Sequence, residues 1–168
     1  MSEKRAGLIP DVTMGLLVPK LYDLLVTSER LIFIVKKPGK DRNVATDAQF
    51  VSAYGIEDPD SLASRSGSIS VANTSIVHLR LEILARRGSD LGMISLRLRY
   101  GSKNRKAGNV EAFMNPTLDF IRSNVPKPDK SRMAEQFREV QIKYAKTIKD
   151  TLTQVLPVGV LQNAEWLV

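Results

Sequence analysis

The sequence predicts an α+β fold: antiparallel strands through the first two thirds of the chain, then a long helix. Three observations carry this. Val77, Leu79, Leu81 and Ile83 alternate with His78, Arg80 and Glu82, and Ile94, Leu96, Leu98 and Tyr100 alternate with Ser95, Arg97 and Arg99. That period of two gives strands with one buried and one wet face. Residues 21–37 read as two β-prone runs separated by Ser28-Glu29, the pattern of a hairpin. From Asp129 to Leu156 there is no Gly or Pro, and Met133, Phe137, Val140, Tyr144, Ile148, Leu152 and Val155 recur every three or four residues. A chain of 168 residues buries enough surface for one core without staples.

Taken in order, the apolar run from Leu8 to Val18 is interrupted by Pro10, Asp11 and Gly15, and no small-residue cleavage site follows it. It is therefore not read as a signal peptide. No stretch is apolar enough for a transmembrane segment, so a cytoplasmic protein, soluble or peripheral, is expected. In the hairpin, Leu31, Phe33 and Val35 point one way and Ile32 and Ile34 the other, so both faces are apolar and another element must pack over the strand. Residues 38–68 are an insertion rich in Gly, Ser, Asp and Pro, either a lid or an ordered excursion. Within it Thr46 and Gln49 form a capping box ahead of Phe50, which predicts a short helix. Arg86-Arg87-Gly88-Ser89-Asp90 has the composition of a turn joining the two alternating strands.

Asn115-Pro116 predicts a helix N-terminus, with Leu118 and Ile121 facing the core and the helix ending near Ser123. Val125-Pro126-Lys127-Pro128 is a stiff break before the long helix. That helix would be on the order of 40 Å long, at about 1.5 Å per residue. Its length makes the stripe of Met133, Phe137, Val140, Tyr144, Ile148 and Leu152 a candidate self-association surface as well as an internal packing face, so a homo-oligomer is one expectation. The apolar tail from Val158 to Val168 is expected to dock on the rest.

Several chemistries are disfavoured. Without cysteine there is no thiolate catalysis, disulfide framework, Cys-ligated zinc or iron–sulfur cluster. His78 is the single histidine and reads as a structural or solvent-facing side chain, with no second His at metal-ligand spacing. Glu57, Asp58 and Asp60 flank Pro59, where acids serve turns and caps. No serine sits in a nucleophile elbow, and Gly101 and Gly108 lack the spacing of a phosphate-binding loop. The expectation is a protein that is not an enzyme and carries no cofactor or metal.

What remains is charge. Residues 1–84 carry ten Lys/Arg and ten Asp/Glu, whereas 85–168 carry fifteen and eight, so the net charge of +7 belongs to the second half. Between 86 and 106, Arg86, Arg87, Arg97, Arg99, Lys103, Arg105 and Lys106 face one acid, Asp90. On paired strands Arg80, Arg97 and Arg99 share an outer face where Glu82 alone cannot balance them. Residues two apart on a strand lie about 7 Å from each other, near the spacing of adjacent phosphates. Arg80, Arg97, Arg99, Lys103, Arg105 and Lys106 are thus the candidate anion-binding residues; a solvated charged face accounts for them equally simply. An acidic protein or an anionic lipid surface fits such a patch. Nucleic acid is the alternative, with weak binding lacking sequence preference, because no exposed aromatic platform accompanies the charge.

The segment Tyr22-Asp23-Leu24-Leu25-Val26-Thr27-Ser28-Glu29-Arg30-Leu31-Ile32-Phe33 resembles the opening hairpin of pleckstrin-homology-like domains of the prokaryotic and GRAM type. Ser75-Ile76-Val77 leading to Leu96-Arg97-Leu98-Arg99-Tyr100 resembles their second-sheet hairpin, and the helix after Asn115 their closing helix. The resemblance covers about residues 12–125. It implies two antiparallel sheets forming a bent barrel closed by a helix, used as a non-enzymatic binding or adaptor module. On this reading residues 1–125 form the barrel domain, with its insertion at about 38–68, and 126–168 are a helical extension. Phosphoinositide-binding members use a basic loop between their first two strands. Here that loop spans only about Thr27 to Arg30, so the resemblance does not bring the lipid site with it.

Overall fold

Among the described residues eight segments form strands, and they join into one sheet. The computed structural model describes residues 3–15, 17–36, 54, 57–84, 92–101 and 107–168. The strands are β1 (Arg5–Met14), β2 (Lys20–Thr27), β3 (Arg30–Val35), β4 (Ile69–Ala72), β5 (Ile76–Leu84), β6 (Met93–Tyr100), β7 (Gly108–Met114) and β8 (Glu165–Leu167). The helices are α1 (Pro59–Ser64), α2 (Leu118–Asn124), α3 (Met133–Thr153) and α4 (Val158–Gln162). No helix among the described residues is long and apolar enough to cross a membrane.

The sheet order is β4-β3-β2-β1-β7-β6-β5-β8. All pairings are antiparallel except the parallel β5–β8 pair. The α+β class stands, but in place of two antiparallel sheets forming a bent barrel closed by a helix the strands order as one mixed sheet. The sheet is single because β1 bonds to β7 through Thr13↔Phe113 and Met14↔Ala112, and it is open because its order ends at β4 and β8.

The hairpin expected at 21–37 is β2 and β3, joined at Ser28-Glu29. Both of its faces are covered. On one, Leu25, Ile32 and Ile34 pack with Tyr54 and with Leu62 of α1. α1 starts at this place because Asp58 accepts the Ser61 backbone N–H and Pro59 occupies the first turn, where no N–H is needed. The capping box at Thr46 and Gln49 lies outside the described residues.

The other face is the main core. Leu24, Val26, Leu31, Phe33, Leu79, Leu81, Ile94, Leu96 and Leu98 share one cluster with Tyr144, Ala145, Ile148 and Leu152 of α3 and Val160 of α4. The segment after residue 125 therefore completes the core of the sheet, and β8 covers the edge of β5. α2 contributes less than expected: its N-cap is Thr117 rather than Asn115, it buries no residue fully, and Leu118 is 68% exposed. Phe120 turns inward in its place, edge-on to Tyr144 at 4.9 Å between ring centroids. Val77 is also exposed, since β5 has a register shift between Ile76 and His78.

β1 is built on a bulge. Between Ile9↔Leu24 and Val12↔Tyr22 it carries one residue more than β2, and Asp11 takes φ 56°, in the left-handed region. The Asp11 backbone N–H donates to Asp23 Oδ1 at 3.0 Å, and the Tyr54 hydroxyl donates to Asp23 Oδ2 at 2.8 Å. Lys36 Nζ lies 2.6 Å from Asp11 Oδ1 and 3.3 Å from Asp23 Oδ1. Asp23 and Lys36 are buried. Burial pushes the Asp23 carboxyl above the ordinary carboxylate range, against the opposing pull of the Asp11 N–H, Tyr54 and Lys36.

Two predictions follow from this packing. Lys36→Met leaves the Asp23 carboxylate buried without its cation and costs about 3–5 kcal/mol near neutral pH. In that variant the folded-state pKa of Asp23 rises further above its unfolded value. Folded protein then holds a proton that unfolded protein has released, and stability falls as pH climbs out of the acid range; urea titrations should show a larger deficit near pH 7 than near pH 4. Second, a Cβ on Gly7 would stand 2.6 Å from Thr151 Cγ2 of α3. Gly7→Ala should destabilise by about 1–3 kcal/mol, and adding Thr151→Ala, which removes that methyl, should restore most of the loss in the same titration.

Candidate functional site

The outer face of β5, β6 and β7 carries the expected arginines, and the strand registers decide what they meet. Arg80 sits opposite Arg97, and Arg97 opposite Glu111 on β7. The parallel strand β8 brings Glu165 beside Arg80. Arg80 bonds Glu82 at 2.6 Å and Glu165 at 3.1 Å, while Arg97 bonds Glu111 at 2.7 Å and approaches Glu82 at 3.2 Å. Glu82 is buried beneath the two guanidinium groups.

This corrects the expectation of one acid against three arginines. Glu111 and Glu165 arrive from strands that sequence reading had not assigned, and the described part of the face holds three acids against Arg80, Arg97 and Arg99. Arg80 and Arg97 each lie against two carboxylates, so their fields are largely cancelled at the range of a ligand. Arg99 differs. It is exposed, stands opposite His78 and Asn109, and has no ion-pair partner among the described residues. Lys103, Arg105 and Lys106 lie outside the described residues, as do Arg86 and Arg87.

The helix stripe is placed largely inside. Val140, Tyr144, Ile148 and Leu152 are buried against the sheet of their own chain and are spent on that packing. Met133 is 50% exposed and Phe137 half-buried; both line a recess of about 290 Å³ between α2 and the start of α3. Burial also pushes the Tyr144 hydroxyl's pKa up, with Asp11 and Asp23 adding to the shift.

The other chemistry-bearing residues are engaged structurally. His78 Nε2 lies 3.5 Å from Glu165 Oε1. Glu57 pairs with Arg65, Asp60 with Arg30, and Asp58 caps α1. Among the described residues no group of three or more His, Asp or Glu is arranged to hold a metal ion.

Sequence reading missed the seam between β1 and β7. That pairing lasts only two residue pairs, and two recesses lie beside it. One, of about 780 Å³, lies between Asp11, Thr13 and Leu21 and the stretch Phe113 to Leu118, closed off by Leu84 and Met93. The other, of about 720 Å³, lies between the β1–β2 turn and Asn109, Val110 and Glu111 of β7.

Residues 15–19, of which residue 16 lies outside the described residues, connect β1 to β2, and the short turn at Thr27 to Arg30 joins β2 to β3. Leu17 is 97% and Val18 74% exposed, followed by exposed Lys20. Gly15 is required here: its φ is 95°, and a Cβ would lie 2.9 Å from the Val18 carbonyl oxygen. The available signal was Gly15 and Pro19 bracketing Leu16-Leu17-Val18 between two strand-forming runs.

No family model matches the chain, and no curated protein matches it. Among solved structures, the chain is similar to the hSac2 domain from human phosphoinositide phosphatase Sac2, with a TM-score of 0.48 and 9% sequence identity, over 98% of this chain and 76% of that one.

Proposed function

We propose that this chain is a non-enzymatic binding module on a pleckstrin-homology-like frame, and that it recognises an anionic partner at the Arg99 end of the β6–β7 hairpin. In this frame β1–β4 and β5–β7 are two antiparallel halves that meet at the short β1–β7 seam. The observation that carries the reading is the contrast along β6. Arg97 is tied to Glu111 and Glu82, whereas Arg99, two residues on, is exposed without an ion-pair partner among the described residues. Lys103, Arg105 and Lys106 follow within seven residues in sequence. Arg80 and Arg97 are reassigned from ligand contacts to an internal network that holds β5, β6, β7 and β8 in register.

An acidic protein or an anionic lipid surface suits this end better than nucleic acid. Tyr100, the neighbouring aromatic, packs against the core with its ring over Gly108 and is not presented as a stacking platform.

The test uses two probes, immobilised poly-L-glutamate and vesicles containing phosphatidylserine. Arg99→Ala should weaken retention by about fivefold, the equivalent of about 1 kcal/mol for one basic residue near an anionic surface, and Arg99→Glu by more, with an unchanged melting temperature. Binding should also weaken as salt is added. Failure of the wild type to bind either probe, or full retention by Arg99→Glu, overturns the reading.

A further inference from the structure

We infer that the larger recess beside the β1–β7 seam is a binding site for a small organic cation, an ammonium group carried on an apolar body. The site is separate from Arg99, which is not on its lining, and its ligand has the opposite charge. At about 780 Å³ the recess has the size of a small-molecule pocket, roughly 300–1,000 Å³. Leu21, Leu84, Met93, Phe113, Pro116 and Leu118 give it apolar walls. Leu118, which α2 leaves largely exposed, thus belongs to a wall and not to the core.

Asp11 is the one charged group among the described lining residues. It is also the one non-glycine residue among them with a positive φ, and a bulge of this kind re-aims the side chain it carries. Its carboxylate is 41% exposed and is held by Lys36 through Oδ1 alone; Oδ2 has no hydrogen-bond partner among the described residues. Lys36 is shared. Its ammonium, 2% exposed, also lies 3.3 Å from Asp23 Oδ1, so one buried cation serves two carboxylates. With both acids ionised, one negative charge is left over beside an apolar wall. Its field also reaches the core, where burial first and then Asp11 and Asp23 push the Tyr144 hydroxyl's pKa up.

These features select the ligand's charge. An ammonium at Asp11 Oδ2 neutralises the surplus, and Thr13 and Asn115 on the same lining offer further oxygen acceptors for its N–H groups. The Phe113 ring in the wall favours a cation as well. A carboxylate ligand would be repelled by Asp11 and could not reach Lys36, whose ammonium is already bonded and buried. A neutral ligand would fill the apolar volume but leave the charge unmatched. The recess therefore combines an apolar enclosure with a small number of polar groups at one point, the arrangement expected of a small-molecule site.

The test titrates the full chain, labelled with carbon-13 at its methionine methyls, with n-octylammonium, n-octanol, n-octanoate and ethylammonium. Met93 and Met114 line this recess, Met14 the smaller one, and Met133 the recess between α2 and α3, so the methyl that shifts reports the place of binding. Octylammonium should give saturable shifts at Met93 and Met114, about tenfold tighter than octanol, the size of one hydrogen bond to a charged group. Octanoate should bind more weakly than octanol, and ethylammonium at least about a hundredfold more weakly than octylammonium, for want of an apolar body. Asp11→Asn keeps a residue type that tolerates the left-handed region. It should lower octylammonium affinity about tenfold and leave octanol binding, which reports an intact recess, unchanged. The inference is overturned by the absence of saturable shifts at Met93 and Met114, or by shifts confined to Met14 or Met133. It is equally overturned if octanol, octanoate or ethylammonium binds as tightly as octylammonium, or if Asp11→Asn retains full octylammonium affinity. Should Asp11→Asn fail to fold, the order of the four probes on the wild type decides alone.

Discussion

Two residue pairs hold this sheet together as one. Thr13↔Phe113 and Met14↔Ala112 are the whole of the β1–β7 pairing, whereas β1 and β2 pair along nearly their full length. The bulge at Pro10-Asp11 lies just before the seam, where β1 passes from pairing with β2 alone to pairing with β7 as well. The bulge in turn needs an acceptor for the Asp11 N–H, which Asp23 supplies, and a buried acceptor carboxylate needs a cation, which Lys36 supplies. A buried ionic group is an expensive way to stabilise a sheet. Here it fixes a backbone distortion in β1, three residues before its end at the seam.

The long helix answers a second requirement of the same geometry. An open sheet with an apolar inner face must be covered, and α2 is too short and too exposed to do it. α3 supplies Tyr144, Ala145, Ile148 and Leu152 in a line matching its own repeat, and its approach over β1 is close enough that Gly7 has no room for a side chain beside Thr151. The same stripe that looked available for a second copy is therefore mostly consumed within the chain. β8 adds a further economy: its three residues cover the edge of β5 and carry Glu165 to Arg80.

What was legible in the sequence was periodicity left unbroken. β2, β3, β6 and α3 keep their periods of two or 3.6, and β5 keeps its own from His78 onward, past the register shift that leaves Val77 exposed. β1 was not, because the extra residue of a bulge shifts the alternation and Pro10-Asp11 looks like an interruption. β7 alternates Val110, Ala112 and Met114 inward with Asn109, Glu111 and Phe113 outward, but it opens on Gly108 and buries an alanine, so its β signal is weak. β8 is too short for any period to show. The error in electrostatics follows from these omissions, since Glu111 and Glu165 lie on the two unassigned strands. At α2 the Asn115-Pro116 signal lost to Thr117, whose hydroxyl accepts the Phe120 N–H at 3.2 Å; the shift exchanges Leu118 for Phe120 on the inner side.

A count of basic residues and a surface potential are therefore different quantities in this protein. The sequence concentrates arginine on β5 and β6, yet cross-strand pairing matches Arg80 and Arg97 with carboxylates and leaves Arg99 unpaired among the described residues. The same pairing rules carry the β1–β2 turn to the Arg99 end of β7. A leucine that is 97% exposed adds nothing to the core, and the turn that carries it needs a glycine in the left-handed region. Folding alone gives no reason for that arrangement, because a polar turn would close the same hairpin with less apolar surface in water.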